Sequence, residues 1–332
     1  MKKILPTIYP PITSYPSVAG TVGIMMLYTD YKHWFCENFI QLYVNKHNEL
    51  KIYDYKCPFI TAINHNEKLK KLSPYMVLEF IKELINTNSF LWYFLDRYYV
   101  NKDNPNNRHY LHNTMIYGYD DNEKLIYICD FFGANNQFEY GTISYRDFIL
   151  ATKSIDKNNL FYYGMSHLLV QEKIDVFPYK LKLETILQQL SDYKKSINTT
   201  ATEDALQEIE FGNGKWGLSI YPWLADKIAN FDDDSSRINP RLLYILCDHK
   251  RAMIYRINFL AEQKLLPLNI QLLERMQKAL DISTGILNMA LKYNITRQRN
   301  ILKRLEEQVY NLMIFDDEVT EEFIDILKKH NE

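Results

Sequence analysis

The chain of 332 residues is short of glycine, with 10, and holds 11 prolines and four cysteines. It contains no Walker loop, no GxGxxG and no GxSxG, so nucleotide-dependent and serine-hydrolase chemistry find no support in it. Cys36, Cys57, Cys129 and Cys247 form no CxxC and keep no regular spacing. At this length that argues against a disulfide framework and for reduced thiols in a cytosol. Excess charge is missing as well. Lysine plus arginine number 39 against 41 aspartates and glutamates, which offers neither nucleic acid nor an anionic membrane a field to bind. The apolar run at 17–29 is too short to span a bilayer. Met1-Lys2-Lys3-Ile4 imitates the start of a signal peptide, but Pro6, Pro10, Pro11 and Pro16 interrupt any helix behind it. A cytoplasmic protein is expected.

What is present is a globular composition, 47% hydrophobic and 24% charged, in a chain long enough for one large or two ordinary domains. Residues 1–30 read as an extended, proline-punctuated start. Apolar residues from Cys36 to Asn45 predict a buried helix, and 51–55 and 59–63 are short strand candidates. Ser73-Pro74 supplies an N-cap with proline at N1 for a helix over 75–85. Ser89 to Val100 reads as a strongly aromatic strand, with Phe90 to Leu95 too apolar throughout to be an exposed edge. Ser144 caps a helix through Phe148, and 160–170 returns as a strand. Helix, short strands, helix and a run of antiparallel strands define an α+β domain over residues 1–176. Nothing strand-like follows. Helices fit 181–196, 203–210, 216–230, 240–263, 268–292, 297–312 and 318–329, giving an all-α domain over 177–332 with the boundary near Val176-Phe177-Pro178.

The chemistry gathers at 109–132. Two runs of β-branched and aromatic residues flank Gly118-Tyr119-Asp120-Asp121-Asn122-Glu123, which is turn chemistry, and together they predict a β-hairpin. His112 opens the first strand and Asp130 closes the second, eighteen residues on. Antiparallel pairing brings both to the same end of the sheet. A carboxylate beside an imidazole fixes the ring tautomer and stabilises the imidazolium, as a nucleophile–base–orienter catalyst requires. Cys36 is the candidate nucleophile. Its two readings are a thiolate favoured by a helix N-terminus and an imidazole, or a buried apolar cysteine beside Trp34 and Phe35. Cys57, Cys129 and Cys247 read as structural, with Cys129 facing away from Asp130. His33-x-x-Cys36 and His109-x-x-His112 would offer four zinc ligands, but they lack the tight spacing of zinc modules, and no metal is expected.

These residues carry a resemblance. A histidine opening a strand, a Gly-Tyr-Asp turn and an aspartate ending the next strand, with Cys36 earlier and an all-helical half later, resemble the papain-like domain of the bacteriocin-leader-processing peptidases. They also resemble the related N-terminal domain of the butirosin biosynthesis protein H family. The likeness covers roughly residues 14–170 at motif level. It implies a papain-like α+β domain with Cys36 as nucleophile, His112 as base and then acid, and Asp130 as orienter. It further implies acyl transfer from a carrier-bound thioester in bacterial natural-product biosynthesis. An acyl or peptidyl carrier protein and a small-molecule acceptor would be the partners, with no cofactor. A peptidase or thioesterase would share the same thioester intermediate. The alternative of another class is a fold kept without chemistry, as a binding module or carrier-protein partner. The absence of an oxyanion side chain ahead of Cys36 and the bulk of Phe39 favour it.

A water-excluding role is expected of the helical half, with residues 216–263 covering the Cys36–His112 cleft. Tyr221, Trp223, His249 and Arg256 are the side chains expected to face it, and His33 and His109 are further candidate substrate contacts. Asp248-His249-Lys250-Arg251 reads as a solvated polar face with an i,i+3 pair of Asp248 and Arg251. Arg297, Arg299, Lys303 and Arg304 form a basic end on a later helix, able to dock an acidic carrier.

Overall fold

The computed structural model describes residues 1–53, 60–101, 108–132, 137–156, 165–170, 179–199, 214–231 and 237–331. In chain order its elements are β1 (Lys2–Ile4), α1 (Pro16–Met25), α2 (Thr29–Glu37), β2 (Leu42–Val44), β3 (Leu50–Ile52), β4 (Ile60–Asn64), α3 (Asn66–Leu69) and α4 (Pro74–Asn86). Then come β5 (Phe90–Asp96), α5 (Arg97–Val100), β6 (Leu111–Asp120), β7 (Leu125–Phe132), β8 (Gln137–Ser144), α6 (Tyr145–Lys153) and β9 (Met165–Val170). Helices follow: α7 (Leu183–Lys195), α8 (Ile220–Ala229), α9 (Arg241–Glu262), α10 (Ile270–Thr296) and α11 (Asn300–Asn331). The chain thus mixes α and β, an antiparallel sheet followed by helices. It forms two compact units, residues 1–31 with 57–178, and residues 32–56 with 179–332. The expected boundary near 176–178 lies outside the described residues. Residues 32–56, expected with the sheet, go with the helical half.

In the first unit the sheet runs β4-β9-β5-β6-β7-β8, every neighbour antiparallel, and β1 pairs with the far half of β6. β5 can be apolar throughout because both faces are covered. Trp92 and Met115 face α1 at Gly20, and Tyr93 on the other face meets Phe148 of α6, with ring centroids 6.1 Å apart. Residues 16–25 were expected to be extended; they are a helix opened by Pro16. Its glycines mark close approach. A Cβ on Gly20 would stand 2.8 Å from Trp92 and Met115, and one on Gly23 would stand 2.6 Å from the Ile8 carbonyl and the Tyr140 hydroxyl. The capped helices come out as expected. Ser73 Oγ accepts from the Met76 N–H at the start of α4, and Ser144 Oγ from Asp147 N–H at the start of α6.

The hairpin is present with a tighter turn than expected. β6 continues through Gly118 to Asp120, and β7 resumes at Leu125. Gly118 is not turn chemistry. A side chain there would meet the backbone of Lys3 and Ile4, because β1 passes over it. The register also slips once. Gly118 pairs with Tyr127 and Ile116 with Ile128, leaving Tyr117 as a bulge.

The second unit contradicts the expected helix over 36–45. α2 ends at Glu37, Phe39 takes a left-handed backbone (φ 60°), and 42–44 is a strand paired with 50–52. A short buried apolar run fits a strand as well as a helix, and here pairing decided. Trp34, Phe35 and Phe39 pack as one aromatic group, with Tyr255 of α9 edge-on to Phe35. α9 packs on α10, α10 on α11, and α11 on α7 and α8. The two helices expected over 297–312 and 318–329 are one, because Asp316 at the expected break has partners inside the unit. The helix expected over 203–210 lies outside the described residues. Among the described residues no helix is long and apolar enough to cross a membrane.

Gly23→Ala decides whether close approach outweighs propensity in α1. Alanine favours the helix by about 1 kcal/mol over glycine, yet its methyl would collide with the Ile8 carbonyl. Thermal denaturation should show a lower Tm; a higher one would mean the segment at Ile8 yields.

Candidate functional site

Asp130 is fully buried near the end of β7, and what surrounds it is the candidate site. The bulge at Tyr117 sets its neighbours. With Met115 opposite Cys129, the next rung puts Thr114 opposite Asp130, and the alternation of side chains places His112 on that same face. Without the extra residue Asp130 would lie opposite Met115, and His112 would point from the other face.

The contacts are close. His112 Nδ1 lies 2.8 Å from Asp130 Oδ1, and the His112 side chain is 22% exposed. Arg97 Nη1 reaches the same Oδ1 at 3.1 Å. The Phe131 N–H donates to Oδ1 at 2.7 Å, and Thr114 Oγ1 donates to Oδ2 at 2.6 Å. Burial alone would raise Asp130, but His112, Arg97 and Thr114 outweigh it and hold the carboxyl below its usual range. Asp130 is therefore ionised at neutral pH, and an ionised carboxylate keeps the proton of a neutral imidazole on Nδ1. Nε2 is left as the lone-pair nitrogen.

Arg97 follows the last residue of β5, and its N–H donates to the Tyr110 carbonyl at 2.9 Å, with the guanidinium 5.9 Å from the Tyr110 ring. The residue before it serves a second pair. Asp96 Oδ2 lies 2.7 Å from His109 Nδ1, while its Oδ1 accepts from Tyr98 N–H. His109 stacks on the Tyr98 ring at 4.2 Å and is 62% exposed. Tyr98 also borders a cavity of about 450 Å³ with Tyr99, Ser144, Arg146, Asp147 and Leu150. Neither His112 nor Asp130 lines it.

Cys36 belongs to the second unit, and His112 and Asp130 to the first. It stands next to last in α2, not at a helix start. There the dipole presents its negative end and disfavours a thiolate. Burial pushes the thiol up to about 12, against a smaller opposite pull from Arg256. Arg256 is itself fully buried; its Nε donates to the Cys36 carbonyl at 2.7 Å and its Nη2 to the Asn38 carbonyl. These surroundings are those of a structural cysteine. His33 Nδ1 lies 3.0 Å from the Tyr179 carbonyl, and its ring is 5.4 Å from that of Phe259.

The polar face expected on α9 is not solvated. Asp248, His249, Lys250 and Arg256 are all buried; Asp248 does pair with Arg251 at 2.8 Å. Lys250 Nζ lies 2.5 Å from Asp316 Oδ1 and donates to His249 Nδ1 at 3.0 Å. His249 Nε2 donates to the Ile40 carbonyl at 2.7 Å. The Tyr193 and Tyr221 hydroxyls donate to Asp316 Oδ2 at 2.5 and 2.7 Å. Tyr221, His249 and Arg256, expected to face a cleft, thus each find partners within the helical unit. Trp223 Nε1 donates to Asn48 Oδ1 at 2.9 Å. Among the described residues no three metal-ligating side chains come together.

Sequence reasoning missed Arg97, Thr114, Asp316 and the depth of Lys250. An Asp-Arg pair closing an otherwise apolar strand was the available signal for Arg97. Asp316 lies sixty-six residues from Lys250, and nothing local marks it. No protein-family model matches the chain, and no curated protein matches it either.

Burial holds His249 down at about 3, with Lys250 adding to the effect. Unfolded, it takes up a proton near 6.5 while the folded ring stays neutral. The unfolded state binds more protons between those values, so stability falls as pH drops below 6.5, by at most about 1.4 kcal/mol per pH unit. Urea midpoints from pH 7 to 5 should fall in the natural protein and fall less in His249→Gln. Glu37, raised by burial, acts with the opposite sign and is common to both proteins. Equal slopes would mean that the buried ring takes up its proton.

Proposed function

We propose that His112 is the general base of an acyl-transfer site, with Asp130 as its orienter, acting on a carrier-bound thioester. The observation that carries the base assignment is the ionised, buried Asp130 gripping Nδ1 of His112, which leaves Nε2 able to accept a proton. The donor class comes from the resemblance of the 109–132 hairpin to papain-like peptidases and to the butirosin biosynthesis protein H family, as does reading the sheet unit as papain-like. An acyl or peptidyl carrier protein and a small-molecule acceptor are the partners this reading takes.

The resemblance implies Cys36 as nucleophile, but a thiol raised to about 12 at a helix C-terminus favours a route without it. In that route Nε2 of His112 removes the proton of the acceptor hydroxyl or amine as its oxygen or nitrogen forms the new bond to the thioester carbonyl. When the C–S bond breaks, the imidazolium returns the proton to the leaving sulfur. With water as acceptor the same steps give a thioesterase.

A second reading, a binding module without chemistry, is favoured by the same buried thiol. Turnover of a small soluble acyl thioester separates the readings. His112→Ala and Asp130→Asn should each lower kcat at least about 100-fold, with Cys36→Ala close to the natural protein. Loss of turnover in Cys36→Ala, with iodoacetamide labelling Cys36 faster than Cys129 and Cys247, would restore the cysteine route. No turnover by the natural protein, with equally slow labelling of all three, would leave the binding module.

A further inference from the structure

Arg97 is almost fully enclosed, and its guanidinium meets the same carboxylate oxygen that meets the imidazole. Oδ1 also accepts from the Phe131 N–H, and the imidazole and the guanidinium both lie within ion-pair distance of it, so they compete for its charge. A carboxylate whose negative charge is already answered by a permanent cation attracts a second, transient cation less strongly. Thr114 grips the other oxygen, Oδ2, but is neutral, so it fixes the plane of the carboxylate without changing its charge. The neighbouring pair provides an internal contrast. Asp96 holds His109 at a similar distance and accepts from the Tyr98 N–H, and among the described residues no cation touches it.

We propose that Arg97 is a positioning residue that sets the proton affinity of His112 through the oxygen they share. It rests on the reading of His112 as the working base, and it deepens that reading. A base must let its proton go as readily as it takes it. A fully buried carboxylate facing imidazole alone would hold the imidazolium too firmly to return the proton to a leaving group. Arg97 removes that excess, and it does so from behind, out of reach of substrate. Among the described residues, the charged and titratable groups placed around His112 are Asp130 on β7, Arg97 after β5 and the phenol of Tyr110 just before β6; Cys129 faces away on the other side of the sheet.

The test is proton NMR titration of the His112 ring in the full chain, which needs no substrate. In Arg97→Gln, which keeps amide donors but loses the charge, the midpoint should move to higher pH by about half a unit or more. Thr114→Val should leave the midpoint nearly in place, and Arg97→Lys should restore most of it. An Arg97→Gln midpoint no higher than that of Thr114→Val overturns the proposal and leaves Arg97 a packing residue. If Arg97→Gln does not fold, Arg97→Lys and rising salt carry the test: a less well-placed cation should give a small upward movement, and no movement in either would overturn it. Should the ring respond as expected while no thioester is turned over, the coupling stands and the acyl-transfer reading falls. Where turnover is measured, the acid limb of the pH–rate profile should follow the ring.

Discussion

A carboxylate with no access to water must be answered in full by its neighbours, and Asp130 organises one end of the sheet for that reason. Its two oxygens take the imidazole of His112, the guanidinium of Arg97, the hydroxyl of Thr114 and the N–H of Phe131. Each partner comes from a different local circumstance: a strand start, a strand end, a mid-strand position and the adjacent backbone. None of them works unless β5, β6 and β7 hold their register. Removing one partner from a buried charge costs about 3–5 kcal/mol, far more than the pair adds over an apolar replacement. The site is therefore fastened by what its loss would expose.

The helical unit applies the same physics to another end. Asp316 is as enclosed as Asp130 and is answered by Lys250, Tyr193 and Tyr221, with His249 carrying the chain of donors on to the Ile40 carbonyl. Here every member faces inward, whereas at Asp130 the last member, His112, keeps part of its ring in solvent. A closed network specifies the arrangement of α7, α8, α9 and α11. An open one leaves part of its last member in reach of solvent.

How much of this was legible in the sequence followed the range of the forces involved. The hairpin, the Ser73 and Ser144 caps and the His112–Asp130 pair rest on local pattern, and they were readable. So was the Asp248–Arg251 pair, one helical turn apart. The helix at 16–25 was not, because its glycines look like breakers until Trp92, Met115 and Ile8 are seen against them. Nor was the strand at 42–44, where a few buried apolar residues fit either period. Polarity misled at α9, since charge in a sequence looks solvated unless its partner is known. The partner of Lys250 is on another helix. At Cys36 the residue type was visible but not which end of a helix it would occupy.

The single extra residue at Tyr117 gives the strand a parity. Side chains on β6 alternate between two faces, and the odd residue in the ladder is what carries His112 across to the face of Asp130. A change of length by one between residues 113 and 117 would thus turn the imidazole to the far side of the sheet, and a change by two would keep the face but slide His112 about 7 Å along the strand, out of register with Asp130. A lineage carrying this site would record that rule as a stretch without gaps.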